Sequence, residues 1–235
     1  MRALARAARF LALTLGSALL LSALAVLALR FTPPWTTAFI VDARVGSWFD
    51  DDPRPWKLQR EWRDMEAISP QVQLAVIAAE DQRFYEHAGF DFRQIRKALD
   101  QTGPKGRPRG ASTISQQVAK NLFLWNGRSW VRKGIEAWFT VLIELMWPKE
   151  RILEMYLNIA EFGRGIYGVE AASQAFYGKP AARLSRAEAA RLAAVLPNPI
   201  RMRADRPSKY VQRRQREIEA QMRALGGTAW LATGQ

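Results

Sequence analysis

The chain has 235 residues, 49% hydrophobic and 24% charged, which allows one ordinary domain plus an attachment segment and excludes overall disorder. Its formal charge of +13 asks for an anionic partner: nucleic acid, a membrane surface or a phosphorylated substrate. With no cysteine and a single histidine, His87, disulfides, thiol nucleophiles, zinc clusters and sites built on two imidazoles are ruled out, so catalysis must rest on carboxylates, hydroxyls, amides and basic groups.

From Phe10 to Leu29 no residue is charged, and Leu, Ala and Val dominate. A helix over this run would be about 30 Å long, the thickness of a bilayer core. Arg2, Arg6 and Arg9 precede it, which sets the N-terminus in the cytoplasm and everything after Arg30 outside. Ala23-Leu24-Ala25 resembles a signal-peptide cleavage site. The apolar run continues past it, however, and is longer than a signal core, so an uncleaved anchor is the better reading. Phe31, Trp35 and Phe39 then suit either an interfacial aromatic belt or a short extended linker.

Residues 42–69 are Trp-rich and carry an acidic turn at 50–52, and read as a lead-in. Pro70 opens a helix whose apolar stripe, Val72, Val76 and Ile77, leads toward Glu80. Residues 100–111 combine glycine, proline and positive charge and predict a mobile loop. Thr113 and Gln116 are spaced as a capping box for the next helix, on which Thr113, Gln117 and Lys120 fall on one face. A helix through Ile135–Met146 ends at Pro148, and another over 152–160 is expected to close at Gly163. Ser185 and Glu188 make a second capping box before an Ala-rich helix ending at Pro197, and a last helix spans about 208–225, stopped by Gly226-Gly227. No strand block of useful length appears, so the outer domain is expected to be mainly α-helical.

Several motifs can be set aside. Gly163–Gly168 matches G-x-G-x-x-G, but a helix precedes it and no parallel sheet is available, so dinucleotide binding is rejected. No lysine has a serine three residues before it, and nothing around Ser112, Ser115 or Ser129 resembles a nucleophile elbow, so the sequence argues against acyl transfer. What remains is carboxylate chemistry beside positive charge. Glu80 ends an apolar helix, where partial burial would raise its pKa toward that of a general acid or base. Its neighbour Asp81 diverges from it, and Glu136 is the candidate second carboxylate. Taken singly, a glutamate at a helix end is more often a solvated surface residue. Between Arg93 and Lys133, ten basic residues face one acid, Asp100, a block that suits a phosphate-bearing ligand; a solvated face or a loop on anionic lipid is the alternative.

Together these segments resemble the peptidoglycan glycosyltransferases of family 51. Glu80–Asp91 (EDQRFYEHAGFD) looks like the family's first motif and Gly110–Asn121 (GASTISQQVAKN) like its second. Arg132–Glu136 is similar to the third, Ile152–Asn158 with Gly163–Gly168 to the fourth, and Leu192–Pro199 to the fifth. Ser115 stands where many relatives carry threonine. The short anchor and single domain point to the monofunctional branch. The resemblance implies a two-lobed, lysozyme-like, all-helical domain with a jaw partly sunk in the membrane. It divides the chain into a cytoplasmic N-terminus (1–9), a transmembrane anchor (10–30), a juxtamembrane lead-in (31–69), a glycosyltransferase domain (70–225) and a tail (226–235).

The implied reaction polymerises lipid II into β-1,4-linked glycan with inversion, releasing polyprenyl pyrophosphate. Glu80 would deprotonate the acceptor hydroxyl and Glu136 would assist electrostatically. Thr113, Gln117 and Lys120 would face the donor, with Lys120, Arg128, Arg132 and Lys133 holding pyrophosphate. Asp81, Phe84, His87, Ser112, Gln116 and Asn121 complete the implied substrate site. No cofactor is obligatory, although a divalent cation such as Mg suits the pyrophosphate. The implied partners are the membrane, lipid-linked nascent glycan and proteins of the cell-wall or cell-division machinery, with no nucleic acid, and the implied location is the inner membrane. The rivals are a lysozyme-like lytic enzyme, which would use one glutamate as acid, a membrane-tethered nucleic-acid-binding module and a non-catalytic scaffold.

Overall fold

The computed structural model describes residues 2–49, 52, 55–101, 112–127 and 129–233. Most of the predicted loop at 100–111, two of the three aspartates at 50–52 and Arg128 lie outside the described residues. The rest is mainly α-helical, as expected.

Helix α1 (Arg2–Leu29) carries the apolar run, and its stretch from Leu4 to Leu29 is long and apolar enough to cross a membrane. Its leucines are largely exposed, whereas Val26 near the C-terminal end is fully buried. That end docks against helix α6 (Trp130–Met146) and the chain that follows it. Trp147 Nε1 donates to the Val26 carbonyl at 2.8 Å and Trp138 Nε1 to Ser22 Oγ at 3.0 Å. Two arginines then cap the ends of neighbouring helices. Arg30, just past α1, donates to the Met146 carbonyl at the end of α6 (2.7 Å), while Arg151 donates to Leu29 (2.9 Å) and Thr32 (2.7 Å) at the end of α1. Cations at helix C-termini satisfy orphan carbonyls and oppose the helix dipole.

The lead-in is more ordered than its composition predicts. Thr37 caps helix α2 (Ala38–Gly46), which packs on helix α5 (Ile114–Phe123). Strand β1 (Gln59–Arg60) pairs in parallel with β3 (Ile166–Tyr167), which pairs antiparallel with β2 (Glu161–Gly163). This small sheet corrects two expectations. Helix α7 (Lys149–Ile159) ends before Ala160, so Gly163 belongs to a strand and does not close a helix. The glycine-rich segment therefore does follow a strand and opens helix α8 (Val169–Tyr177). Strands of two or three residues still make no nucleotide-binding unit, and the glycines have another cause: Gly168 has φ +84° and ψ 153°, and a Cβ there would lie 2.8 Å from the Asn158 carbonyl oxygen.

The remaining helices fall into two packed groups. Helix α3 (Pro70–Glu80) lies with α9 (Arg186–Val195) and α10 (Lys209–Ala224); α5 lies with α6 and α7. Helix α4 (Phe92–Gln101) follows α3, and short α11 (Trp230–Thr233) follows a turn through Gly226 and Gly227. The expected caps form: Thr113 with Gln116, and Ser185 with Glu188. One continuous apolar core, including Val76, Phe84, Val118, Leu153 and Leu192, joins both groups.

Gly168→Ala forces a side chain into a backbone region that only glycine occupies readily. We expect a loss of about 2 kcal/mol, read as a fall of about 4–8 °C in the unfolding midpoint of the detergent-solubilised protein.

Candidate active site

Glu80 is the last residue of α3, a helix started by the Ser69 cap and Pro70 and buried along Val72, Leu74, Ala75, Val76, Ile77 and Ala78. That burial leaves the carboxylate at the junction of the two helical groups. Gln117 Nε2, on α5, donates to Glu80 Oε2 at 2.8 Å, and Gln117 Oε1 accepts from Tyr156 OH on α7 at 3.1 Å. Burial pushes the Glu80 pKa above its ordinary value, while the Gln117 hydrogen bond and the charges of Arg214 and Lys120 oppose the rise. The same burial, with Glu80 nearby, drives the Tyr156 phenol well above its usual range.

Asp81 turns the other way, as expected of the adjacent position. It caps the end of α3, accepts from the Ile114 N–H at the start of α5 (3.1 Å) and lies 2.9 Å from His87 Nε2. It thereby ties the first motif to the N-terminus of α5, where a carboxylate also meets the positive end of the helix dipole. Thr113 is the cap of α5: its hydroxyl donates to the Gly89 carbonyl at 2.6 Å and accepts from Gln116 N–H at 3.2 Å. Gln116 returns the bond to Thr113 N–H (3.1 Å). A cavity of about 110 Å³ opens here, lined by Glu80, Asp81, Ser112 and Thr113 together with Ala78, Ala79, Gln82, Asp91 and Gln94.

Other residues singled out from the sequence face inward. Phe84 is fully buried, with Lys149 Nζ 4.7 Å above its ring. Lys149 also donates to the His87 carbonyl (2.6 Å) and to Glu144 (2.8 Å), which accepts from Ser115. Gln116 is buried and committed to the cap, and buried Asn121 Oδ1 has no hydrogen-bond partner among the described residues. These positions hold the framework and do not line the cavity.

The cations gather on the other side of Gln117. Lys120 lies 5.0 Å from the Phe39 ring; burial lowers its pKa, against the pull of Glu136 and Glu80. Glu136, only 3% exposed, is bound by Arg132 (2.8 Å) and by Lys133 on the first turns of α6. One carboxylate thus holds two cations beside a third, leaving net positive charge next to Glu80. Ser129 caps α6 by accepting from Arg132 N–H at 3.1 Å.

Three neighbours of this site escape sequence reading. Phe39 reads as an interfacial aromatic, and Tyr156 lies inside a quoted motif without an assigned part. Arg214, whose guanidinium donates to the Ala79 carbonyl at 3.1 Å, sits in an arginine-rich helix where it looks solvated.

The protein-family model described as Transglycosylase matches residues 53–223. A biosynthetic peptidoglycan transglycosylase of Chromohalobacter salexigens is 54% identical over 228 residues, 97% of each chain. Another, of Xanthomonas campestris pv. campestris, is 54% identical over 96% of this chain and 93% of its own. A third, of Pseudomonas entomophila, is 55% identical over 88% of this chain and 86% of its own. The chain belongs to the transglycosylase family.

Proposed function

We propose that this transglycosylase polymerises the glycan of peptidoglycan, with lipid II as acceptor, a growing glycan on polyprenyl pyrophosphate as donor, and Glu80 as base. The observation that carries this reading is the Glu80 carboxylate itself, desolvated, bonded by Gln117 and placed beside Lys120. The acceptor 4-hydroxyl loses its proton to Glu80 as its oxygen attacks the anomeric carbon of the donor. The bond from that carbon to the pyrophosphate oxygen breaks, and its electron pair leaves with the pyrophosphate. Attack opposite the leaving group inverts the centre and makes the β-1,4 link.

A base of raised pKa accepts the proton more readily, and positive charge meets the charge that develops on the leaving group. Lys120, Arg132 and Lys133 supply it, joined by Arg128 on the strength of the resemblance. Glu136 then acts by arraying Arg132 and Lys133, to which it is bonded. With both Glu136 oxygens facing cations, and no cluster of three or more acidic or histidine side chains among the described residues, the donor set does not fit a resident divalent cation. A divalent cation such as Mg would come with the pyrophosphate and offset part of its charge.

The exposed apolar α1 supports membrane anchoring. With Arg2, Arg6 and Arg9 ahead of it, we read the N-terminus as cytoplasmic and the domain as lying on the outer face of the inner membrane. Proteins of the cell-wall or cell-division machinery are the partners this reading predicts.

Purified protein should polymerise lipid II and leave finished cell wall intact; wall cleavage without polymerisation would sink the proposal. Glu80→Gln should retain its fold and lose at least about 10²-fold in turnover, the weight of a general base. Because Glu80 works ionised and its pKa is raised, kcat/KM should fall on acidification at a pH above the ordinary carboxylate range. A profile flat down to that range would reject the assignment.

A further inference from the structure

We infer that Arg214, brought from near the end of the chain, is a positioning residue that fixes the backbone behind Glu80 and keeps the carboxylate ionised while the pyrophosphate occupies the lysine on its other flank. The inference rests on Glu80 as base and adds to it a residue outside the five motifs.

Geometry carries it. The last carbonyls of α3 have no partners within the helix and must find them elsewhere. Ile77 accepts from the Asp81 N–H at 2.9 Å, Ala78 from the Gln82 amide at 3.1 Å, and Ala79 from the Arg214 guanidinium at 3.1 Å. Arg214 therefore caps the peptide immediately before Glu80. Helix α10 packs on both α3 and α9, so the guanidinium is presented from a rigid neighbour. The Arg214 side chain is about three-quarters buried, a position in which a long cationic chain is not merely a solvated surface group. Its contact with Glu217, at 3.5 Å, is longer than its bond to Ala79 and leaves it engaged at the site.

The charges around Glu80 explain why such a group is needed. Burial raises the carboxylate pKa, as does Asp81; the Gln117 hydrogen bond, Arg214 and Lys120 lower it. Tyr156 on α7 approaches through Gln117, and Asp91, paired with Arg83, stands on the cavity wall. Lys120 is also one of the cations assigned to the donor's pyrophosphate in the proposed reaction, and it is the one whose charge acts on Glu80. Once that dianionic group binds, the charge of Lys120 is offset, and Glu80 would tend to take up a proton at the moment it must act as base. A guanidinium keeps its charge throughout the accessible pH range. Held by a backbone carbonyl, Arg214 does not leave with the product.

The test compares full-length wild type, Arg214→Gln, Arg214→Met, Arg214→Lys and Glu80→Gln in detergent. It measures polymerisation across pH and the carbon-13 titration of the Glu80 carboxyl, identified by its loss in Glu80→Gln. In Arg214→Gln the acidic limb of kcat, which reports the donor-bound enzyme, should move to higher pH by about half a unit or more, and that of kcat/KM in the same direction. Turnover should fall several-fold at neutral pH and recover toward wild type in alkali. The Glu80 midpoint should move the same way. Arg214→Lys, which keeps a charge, should leave the limb near its wild-type position. Arg214→Met keeps the packed stem and answers the question if the glutamine variant does not fold. An unmoved limb and midpoint overturn the inference, whether turnover is unchanged or lowered equally at every pH. The two readings fail separately: an active Glu80→Gln removes Glu80 as base, whereas the carbon-13 midpoint still reports whether Arg214 controls its charge.

Discussion

A carboxylate withdrawn from water must be surrounded by donors and positive charge, or it is protonated or expelled. Glu80 is held to that condition from three directions, and much of the domain can be understood as meeting it. Helix α5 contributes the Gln117 amide and the Lys120 charge, α7 contributes Tyr156 behind the amide, and α10 contributes Arg214 behind the peptide. The amide has one donor end and one acceptor end, so Tyr156 holds it in the orientation that points its N–H at Glu80. A helix that never reaches the cavity thereby sets the hydrogen bonding of the group within it. The joint apolar core keeps the two helical groups in the register this arrangement needs.

The same economy of charge recurs at the membrane end of the domain. Trp147 and Trp138 bond to the last turns of α1, Arg30 beside α1 caps α6, and Arg151 on α7 caps α1. Each bond crosses between the apolar helix and the domain, and the arginines give donors to carbonyls left without partners at the helix ends. The helix is docked at its C-terminal end instead of trailing from a free linker. Since α6 carries Arg132, Lys133 and Glu136 on its first turns, the docked element and the cation cluster share one rigid rod.

Legibility followed the range of the interaction. The caps at Thr113 and Ser185, the Pro70 start of α3 and the glycine stop after α10 are local, each decided by residues within a few positions, and each formed as read. The small sheet is not legible in the sequence because strands of two or three residues have no detectable period, and β1 and β3 meet from distant parts of the chain. Helix α2 reads as lead-in in the sequence because its aromatic and apolar residues suit a membrane interface equally well; packing on α5 gives Phe39 to Lys120 instead. The face shared by Gln117 and Lys120 was visible as spacing. That Thr113 would spend its hydroxyl on the Gly89 carbonyl was not.

The sequence by itself determined the helical class, the apolar segment, the carboxylates and cations available and the family they resemble, because composition, caps and contiguous motifs are written in neighbouring residues. Only the tertiary structure decided which of those groups meet. Arg214 and Arg213 are adjacent in a run of arginines, yet only Arg214 reaches the peptide before Glu80, while Arg213 lies 5.4 Å from the Tyr210 ring. Glu136 and Glu80 are both glutamates on helices, yet one is bonded to two cations and the other to a neutral amide. Glu136 draws its cations from its own helix, at a spacing that the sequence does record, whereas the amide and the cations around Glu80 come from remote helices, and no local pattern records them.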